Sequence, residues 1–129
     1  MSKKNPSSTP IAHMIQVVNG TVNVNASTYL DYPFIVPANA SNIHVSGTFT
    51  VQGSSSNYIK VYIFDSTNFD IYEDGGDFGP IYQSQQINTA SISANLYSSG
   101  SYYLVLDNTF STITQEIVNI QANVTYFIQ

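Results

Sequence analysis

Two short stretches of this 129-residue chain hold the residues best equipped for chemistry. The first, DSTNFDIYEDGGDFGP, runs from Asp65 to Pro80 and gathers Asp65, Asp70, Glu73, Asp74 and Asp77. Carboxylates are hard oxygen donors suited to calcium, and Gly75-Gly76 gives the backbone the freedom to wrap an ion. Asp70, Asp74 and Asp77 are the ligands such a site would use. The spacing follows no EF-hand pattern, because the alternating Asp/Asn ligands and the closing bidentate Glu are missing. Solvated surface carboxylates are the plainer reading, and nothing nearby would raise one pKa while leaving its neighbour ionised, as acid/base catalysis requires.

The second stretch, GSYYLVLDNTFS, begins as a strand and ends in polar residues at Asp107, Asn108, Thr109, Phe110 and Ser111. These types suit a ligand site, a metal site or a turn. Asp and Asn side chains accept hydrogen bonds from backbone amides two residues on, and Asn tolerates positive φ. The spacing therefore predicts a structural turn, with Asp107, Asn108 and Ser111 as turn-makers and Phe110 plugging one end of the core. Other constellations are thinner. His13 and His44 do not form a pair at metal-ligand spacing. No Gly-x-Ser-x-Gly elbow is present, so the many serines do not point to a nucleophile, and the sequence predicts no enzyme. Ten tyrosines and seven phenylalanines could build a sugar-binding platform. In a chain without tryptophan most are expected in the core or in cross-strand pairs. Asn19, Asn25, Asn39 and Asn123 head glycosylation sequons, which have meaning only in a secretory pathway.

The elements that must position these residues are strands. Ile15, Val17, Val18, Val22 and Val24 form one apolar run, interrupted by the turn or bulge pair Asn19-Gly20. Leu30, Tyr32, Phe34 and Val36 alternate up to Pro37, and Ile43, Val45, Gly47, Phe49 and Val51 alternate up to Gly53 and three serines. Ile59, Val61 and Ile63 follow, with Tyr58, Lys60, Tyr62 and Phe64 on the opposite face. Beyond the acidic loop come Ile81 to Ile87, then Ile92, Ala94 and Leu96, then Tyr102, Leu104 and Leu106, and finally Val118, Ile120, Ala122, Val124 and Tyr126. No stretch carries a clear 3.6-residue period. The pattern predicts an all-β, antiparallel β-sandwich of about seven to eight strands, jelly-roll-like. Its predicted core holds Ile43, Val45, Phe49, Ile59, Val61, Ile63, Leu104, Leu106, Val118, Ile120, Val124 and Tyr126.

Composition narrows the partners. At 43% hydrophobic the chain can bury roughly two-thirds of its unfolded surface, as a single domain. Only 9% of residues are charged, against a usual ~25%. The net charge is −5, with Lys3, Lys4 and Lys60 as its only Lys or Arg residues, which argues against nucleic acid. The absence of cysteine excludes disulfides and thiolate metal sites and leaves the redox compartment open. No signal-peptide h-region and no apolar run of membrane-spanning length is present, so no membrane insertion is expected. Residues 1–14, with Pro6 and Pro10 among Ser and Thr, read as a flexible or assembly arm or a tag remnant. Residues 15–129 form the domain.

Two stretches carry a family resemblance. "GSYYLVLDNTFS" with the final strand "EIVNIQANVTYFI" resembles the C-terminal signature of GOLD-like domains: Gly-x-Tyr, a strand, an Asn, then Phe-Ser and the last strand. "VPANASNIHVSGTFTVQGSSSNYIKVYIFDSTNF" resembles the middle of small bacterial GOLD-like proteins, and the likeness spans about residues 20 to 127. It implies a sandwich that serves as a protein-interaction module, without catalytic residues or a required cofactor. A second function fits the bare composition, namely a self-assembling filament or shell subunit. In it the arm and the strand after it, through Ile15 and Val17, would add to a neighbour's sheet, and few lysines guard the edges. A calcium-dependent or carbohydrate-binding domain is the third. The partner is accordingly another protein or a second copy of the chain.

Overall fold

The computed structural model describes residues 9–53 and 57–129. Residues 1–8 of the arm and the three serines after Gly53 lie outside the described residues. Among the described residues the chain forms β1 (Ile11–Val24), β2 (Tyr29–Val36), β3 (Ala40–Val51), β4 (Lys60–Asp65), α1 (Ser66–Glu73), β5 (Tyr82–Gln83), β6 (Thr89–Leu96), β7 (Gly100–Asp107) and β8 (Glu116–Ile128). They make two antiparallel four-stranded sheets, ordered β1-β8-β3-β6 and β2-β7-β4-β5. The pairing is nested: β1 with β8, β2 with β7, β3 with β6, β4 with β5. That is one long hairpin wrapped on itself, with β8 closing onto β3 and β7 onto β4. The wrap is a jelly roll, the double-sheet solution for packing eight alternating strands. No helix among the described residues is long and apolar enough to cross a membrane.

Period-2 alternation puts one face of every long strand between the sheets. Val45, Phe49 and Val51 of β3, Ile59 and Val61 beside or on β4, Leu104 and Leu106 of β7, and Val118, Ile120 and Val124 of β8 are all buried in one cluster. Every residue of the core derived from alternation lies in it, including Tyr126 and Ile43. Gly47 also faces this core, where β3 and β8 approach so closely that an added Cβ would stand 2.1 Å from the Gln121 carbonyl oxygen. Glycine is required there for want of space.

The structure departs from the sequence reading in four places. First, the Asp65–Pro80 stretch is not all loop. Asp65 is an N-cap whose side chain accepts from the Asn68 amide at 2.8 Å, and α1 follows. The helix is only eight residues long and has one buried side chain, Phe69, so no apolar stripe announces it. Second, the expected strand from Ile81 to Ile87 contracts to Tyr82–Gln83 and a single bridge from Ile87 to Ile59. Third, Asn19-Gly20 does not interrupt β1: both residues stay in register with β8, and the bulge falls at Val17. Fourth, β1 begins at Ile11, since Ile11 to Met14 pair with Ile128 to Thr125 of the same chain. The domain therefore starts within the segment expected to be arm.

A second, smaller core lies on the far side of the β2-β7-β4-β5 sheet. Tyr62 and Phe64 of β4 and Val105 of β7 are buried there under Phe69 of α1. Phe69 stacks on Tyr103 with centroids 4.0 Å apart, and Phe78 meets Phe64 edge-on. The uninterrupted apolar run VYIF of β4 thus records a strand covered on both faces. Replacing Leu104, wholly buried between the sheets, by Ala is expected to cost ~2–5 kcal/mol in urea unfolding. Gly47→Ala should cost about 1–3 kcal/mol through overpacking, read from the same midpoints.

Candidate interaction surface

The polar tetrad after β7 is a clasp between two crossovers. Nested pairing brings the β1–β2 turn and the β7–β8 connection side by side at one end of the sandwich, where their backbones leave the sheets. Asn108 is fully buried between them. Its side-chain nitrogen donates to the carbonyls of Val24 at 3.2 Å, Asn25 at 3.3 Å and Thr114 at 2.8 Å. Its backbone N–H donates to Thr28 at 2.9 Å, and the Ser27 amide reaches the Ser111 carbonyl at 2.7 Å. Asp107 makes the Asx-turn, its Oδ1 accepting from the Thr109 amide at 2.7 Å and the Thr109 hydroxyl at 2.6 Å. Ser111 Oγ accepts from the Thr114 amide at 3.1 Å. Two details differ from expectation. Positive φ falls at Ser27, across the junction, and not at Asn108. Phe110 is half-buried outside both cores, with Lys60 Nζ 6.0 Å above its ring, so it does not plug the core.

The acidic stretch is dispersed by the helix. Asp65 caps its start, Asp70 is exposed along it, and Asp74 is its C-cap. Asp77 is exposed beyond Gly75-Gly76. Among the described residues no group of three His, Cys, Asp or Glu side chains converges to hold a metal ion. Gly75 and Gly76 serve the helix instead: their amides return to Tyr72 at 3.2 Å and Ile71 at 3.0 Å, with Gly75 at φ +79°. That is a Schellman cap, which satisfies the last carbonyls of α1. The Glu73 carboxylate accepts from the Tyr29 hydroxyl, which this bond and burial push up to about 12. Tyr72 donates to Asp107 at 2.7 Å, its pKa raised by burial and then by that bond. Both tyrosines are thus fixed as neutral donors, tying α1 to β2 and to the clasp.

His44 lies on the outer face of β3 and contacts Asn95 Oδ1 at 2.8 Å, while His13 stacks on Tyr126 with centroids 5.4 Å apart. The Nε2 of His44 also lies 3.3 Å from the Ser93 hydroxyl, and neither histidine belongs to a group of three His, Cys, Asp or Glu side chains that could hold a metal ion among the described residues. Glu116, which the sequence did not mark, is a buried carboxyl at the start of β8. Burial raises its pKa, and a hydrogen bond from the Tyr58 backbone offsets part of the rise.

The sheet edges differ sharply. In the β2-β7-β4-β5 sheet, β2 carries Asp31 and Pro33, and β5 is two residues long. In the β1-β8-β3-β6 sheet, the fourteen residues of β1 and the eight of β6 contain neither proline nor any Asp, Glu, Lys or Arg. Both are edge strands among the described residues. Ile11 and Met14 on β1 are 63% and 65% exposed. Ile15 and Val17 are half-buried against the chain's own core, Ile15 opposite Val124.

No family model and no curated protein matches the chain. Among solved structures it is similar to a protein described under "Bacillus endospore appendages form a novel family of disulfide-linked pili", with a TM-score of 0.54, 11% identity, and coverage of 100% of this chain and 99% of that one. It is also similar to a protein of the infectious bursal disease virus Gx strain, with a TM-score of 0.53 and 8% identity, covering 99% of this chain but 36% of that one. The VP2 subviral particle of infectious bursal disease virus matches with a TM-score of 0.51, 8% identity, and coverage of 100% of this chain and 37% of that one. These likenesses establish the fold, an all-β jelly-roll-like sandwich.

Asn108→Ala is expected to lower stability by ~1–3 kcal/mol or more, because three carbonyls lose one shared donor, and denaturant midpoints measure it. Glu116→Gln tests the buried carboxyl. A group held above its unfolded pKa contributes stability at low pH that is lost as pH rises through the folded value. The variant should therefore melt higher than the wild type at neutral pH, and the gap should close as pH falls.

Proposed function

We propose that this chain is a non-catalytic β-sandwich subunit that associates with copies of itself through the open edges of the β1-β8-β3-β6 sheet. The observation that carries the reading is the asymmetry of the edges. Proteins that stay monomeric blunt their edge strands with charges, prolines or short length. Here the β2 sheet has those devices, whereas β1 and β6 carry neither proline nor an Asp, Glu, Lys or Arg, and β1 has a bulge at Val17 that leaves most of its length regular. Because β1 and β6 are opposite edges of one sheet, β1 of one copy laid beside β6 of the next leaves two further edges open. Such a heterologous contact propagates where a two-fold contact would close. Main-chain hydrogen bonds supply the affinity, and Ile11 and Met14 add apolar area at the start of β1. A protein described with endospore pili and one from a viral subviral particle, both with this fold, support the reading. With no cysteine in these residues, copies of this chain would associate without disulfides.

The GOLD-like resemblance supports a second reading, a module that offers the same edges to a different protein. Sedimentation velocity and negative-stain microscopy of the full chain over a concentration series separate the two. Self-association predicts species that lengthen with concentration. Met14→Lys on β1 and Ser93→Lys on β6 should each weaken association at least tenfold, while Ile35→Lys on the guarded β2 edge should leave it unchanged. A chain that remains monomeric at high concentration, or assembles equally well with both edge variants, would overturn the self-association reading.

A further inference from the structure

The outer face of the β1-β8-β3-β6 sheet holds a groove that no feature of the assembly reading uses. It has a volume of about 460 Å³ and crosses β1, β8 and β3 near their middles. Its floor is the backbone of the rung Gly20, Ile120 and Phe49, which pair across the three strands. Ile120 and Phe49 turn their side chains into the core, and Gly20 has none. The walls are the rungs on either side. One is Thr21, Asn119 and Thr50, continued by Thr89 of β6; the other is Asn19, Gln121 and Thr48, continued by Ser91.

Every wall residue carries a hydroxyl or a carboxamide, and each such group can both donate and accept hydrogen bonds. None is charged. A charged ligand would lose hydration here without gaining a counter-charge, and an apolar ligand would find no apolar side chain to cover. The walls are also partly ordered in advance. Asn119 Oδ1 accepts from the Thr21 hydroxyl and from Gln52 Nε2 at 3.3 Å, and the Thr50 and Thr89 hydroxyls are 3.0 Å apart. Pre-ordered polar side chains lose less freedom when a ligand arrives.

We propose that this groove binds an extended, uncharged glycan. Such a chain presents hydroxyls that donate and accept along its length, matching the two walls. Running across the strands, it meets a new pair of wall residues about every 4.8 Å, the strand spacing, which is close to the length of one pyranose unit in an extended β-linked chain. Each strand would then engage one sugar. The aromatic platform considered from the sequence is a different surface: much of the Tyr and Phe content of the β2 sheet is packed beneath α1.

Native affinity electrophoresis of the full chain tests the proposal, with mobility in each gel compared with that in a plain gel so that assembly size cancels. The probes are hydroxyethylcellulose, a neutral β-1,3-glucan and a galactomannan, with carboxymethylcellulose as the anionic counterpart. The expected result is retardation by at least one neutral polymer and none by carboxymethylcellulose. The double variant Asn119→Ala/Gln121→Ala should weaken that retardation at least tenfold. Thr48→Val, which keeps the shape of the side chain but removes its hydroxyl, should weaken it several-fold at an unchanged melting temperature, and decides the matter should the double variant fail to fold. Wild-type protein that migrates in all three neutral gels as in the plain gel would overturn the proposal. So would equal retardation by carboxymethylcellulose, or retardation that survives loss of the wall residues.

Discussion

A long hairpin can wrap into two sheets only if the backbones that cross between them find hydrogen bonds where they leave the ladders. At one end of this sandwich that requirement rests on Asn108. Two crossovers meet there, from β1 to β2 and from β7 to β8, and one carboxamide nitrogen serves carbonyls from both. Asp107 and Ser111 close their own turns on either side of it. A buried polar group without a partner costs about as much as a hydrogen bond is worth or more. The knot bears one such cost, because Asn108 Oδ1 is buried without a hydrogen-bond partner among the described residues while its amide nitrogen serves three carbonyls. The outermost pairing of the hairpin, β1 on β8, starts directly from this knot, since Val24 faces Glu116 there.

The two sheets divide the work. In the β2 sheet the central strands β4 and β7 are covered on both faces: by the main core on one side and by α1 with its aromatic cluster on the other. Offset and edge-to-face ring pairs such as Phe69 with Tyr103 and Phe78 with Phe64 anchor the helix. The hydroxyls of Tyr29 and Tyr72 bind it to neighbouring strands. The carboxylates of this region are mostly solvated or spent on caps. The β1 sheet is its opposite, with a bare outer face that is mostly Ser, Thr, Asn and Gln, broken by Met14, Ile117 and His44, and with two long edges free of Asp, Glu, Lys and Arg. One sheet is therefore built inward and the other outward, and both proposed interactions fall on the second.

The low charge of the chain acquires a location through this division. Five of its eight acidic residues lie between Asp65 and Asp77, at or near α1. Few remain for the β1 sheet, whose strands instead carry hydroxyl and amide groups on the solvent side. Strand edges and sheet face are thus left neutral together, which suits main-chain pairing along the edges and hydrogen bonding over the face.

Alternation is a local property, and it was legible. Whether Val45 and Phe49 share a face depends only on the pleat of one strand, so the sequence alone identified the core, the all-β class and the turn character of Asp107 and Ser111. The helix was legible only in hindsight, from Asp65 before it and Gly75-Gly76 after it, because a two-turn helix with one buried side chain shows no period. What tertiary structure decided was everything that depends on chain closure. Asn108 holds Val24 and Asn25, more than eighty residues away, and no local spacing marks that partnership. Ile11 to Met14 became strand because β8 was long enough to receive them. The groove walls exist only because β8 settles between β1 and β3, placing Asn119 beside Thr21 and Thr50. Facing is set by neighbours in sequence, whereas pairing is set by which distant strands satisfy one another's backbones.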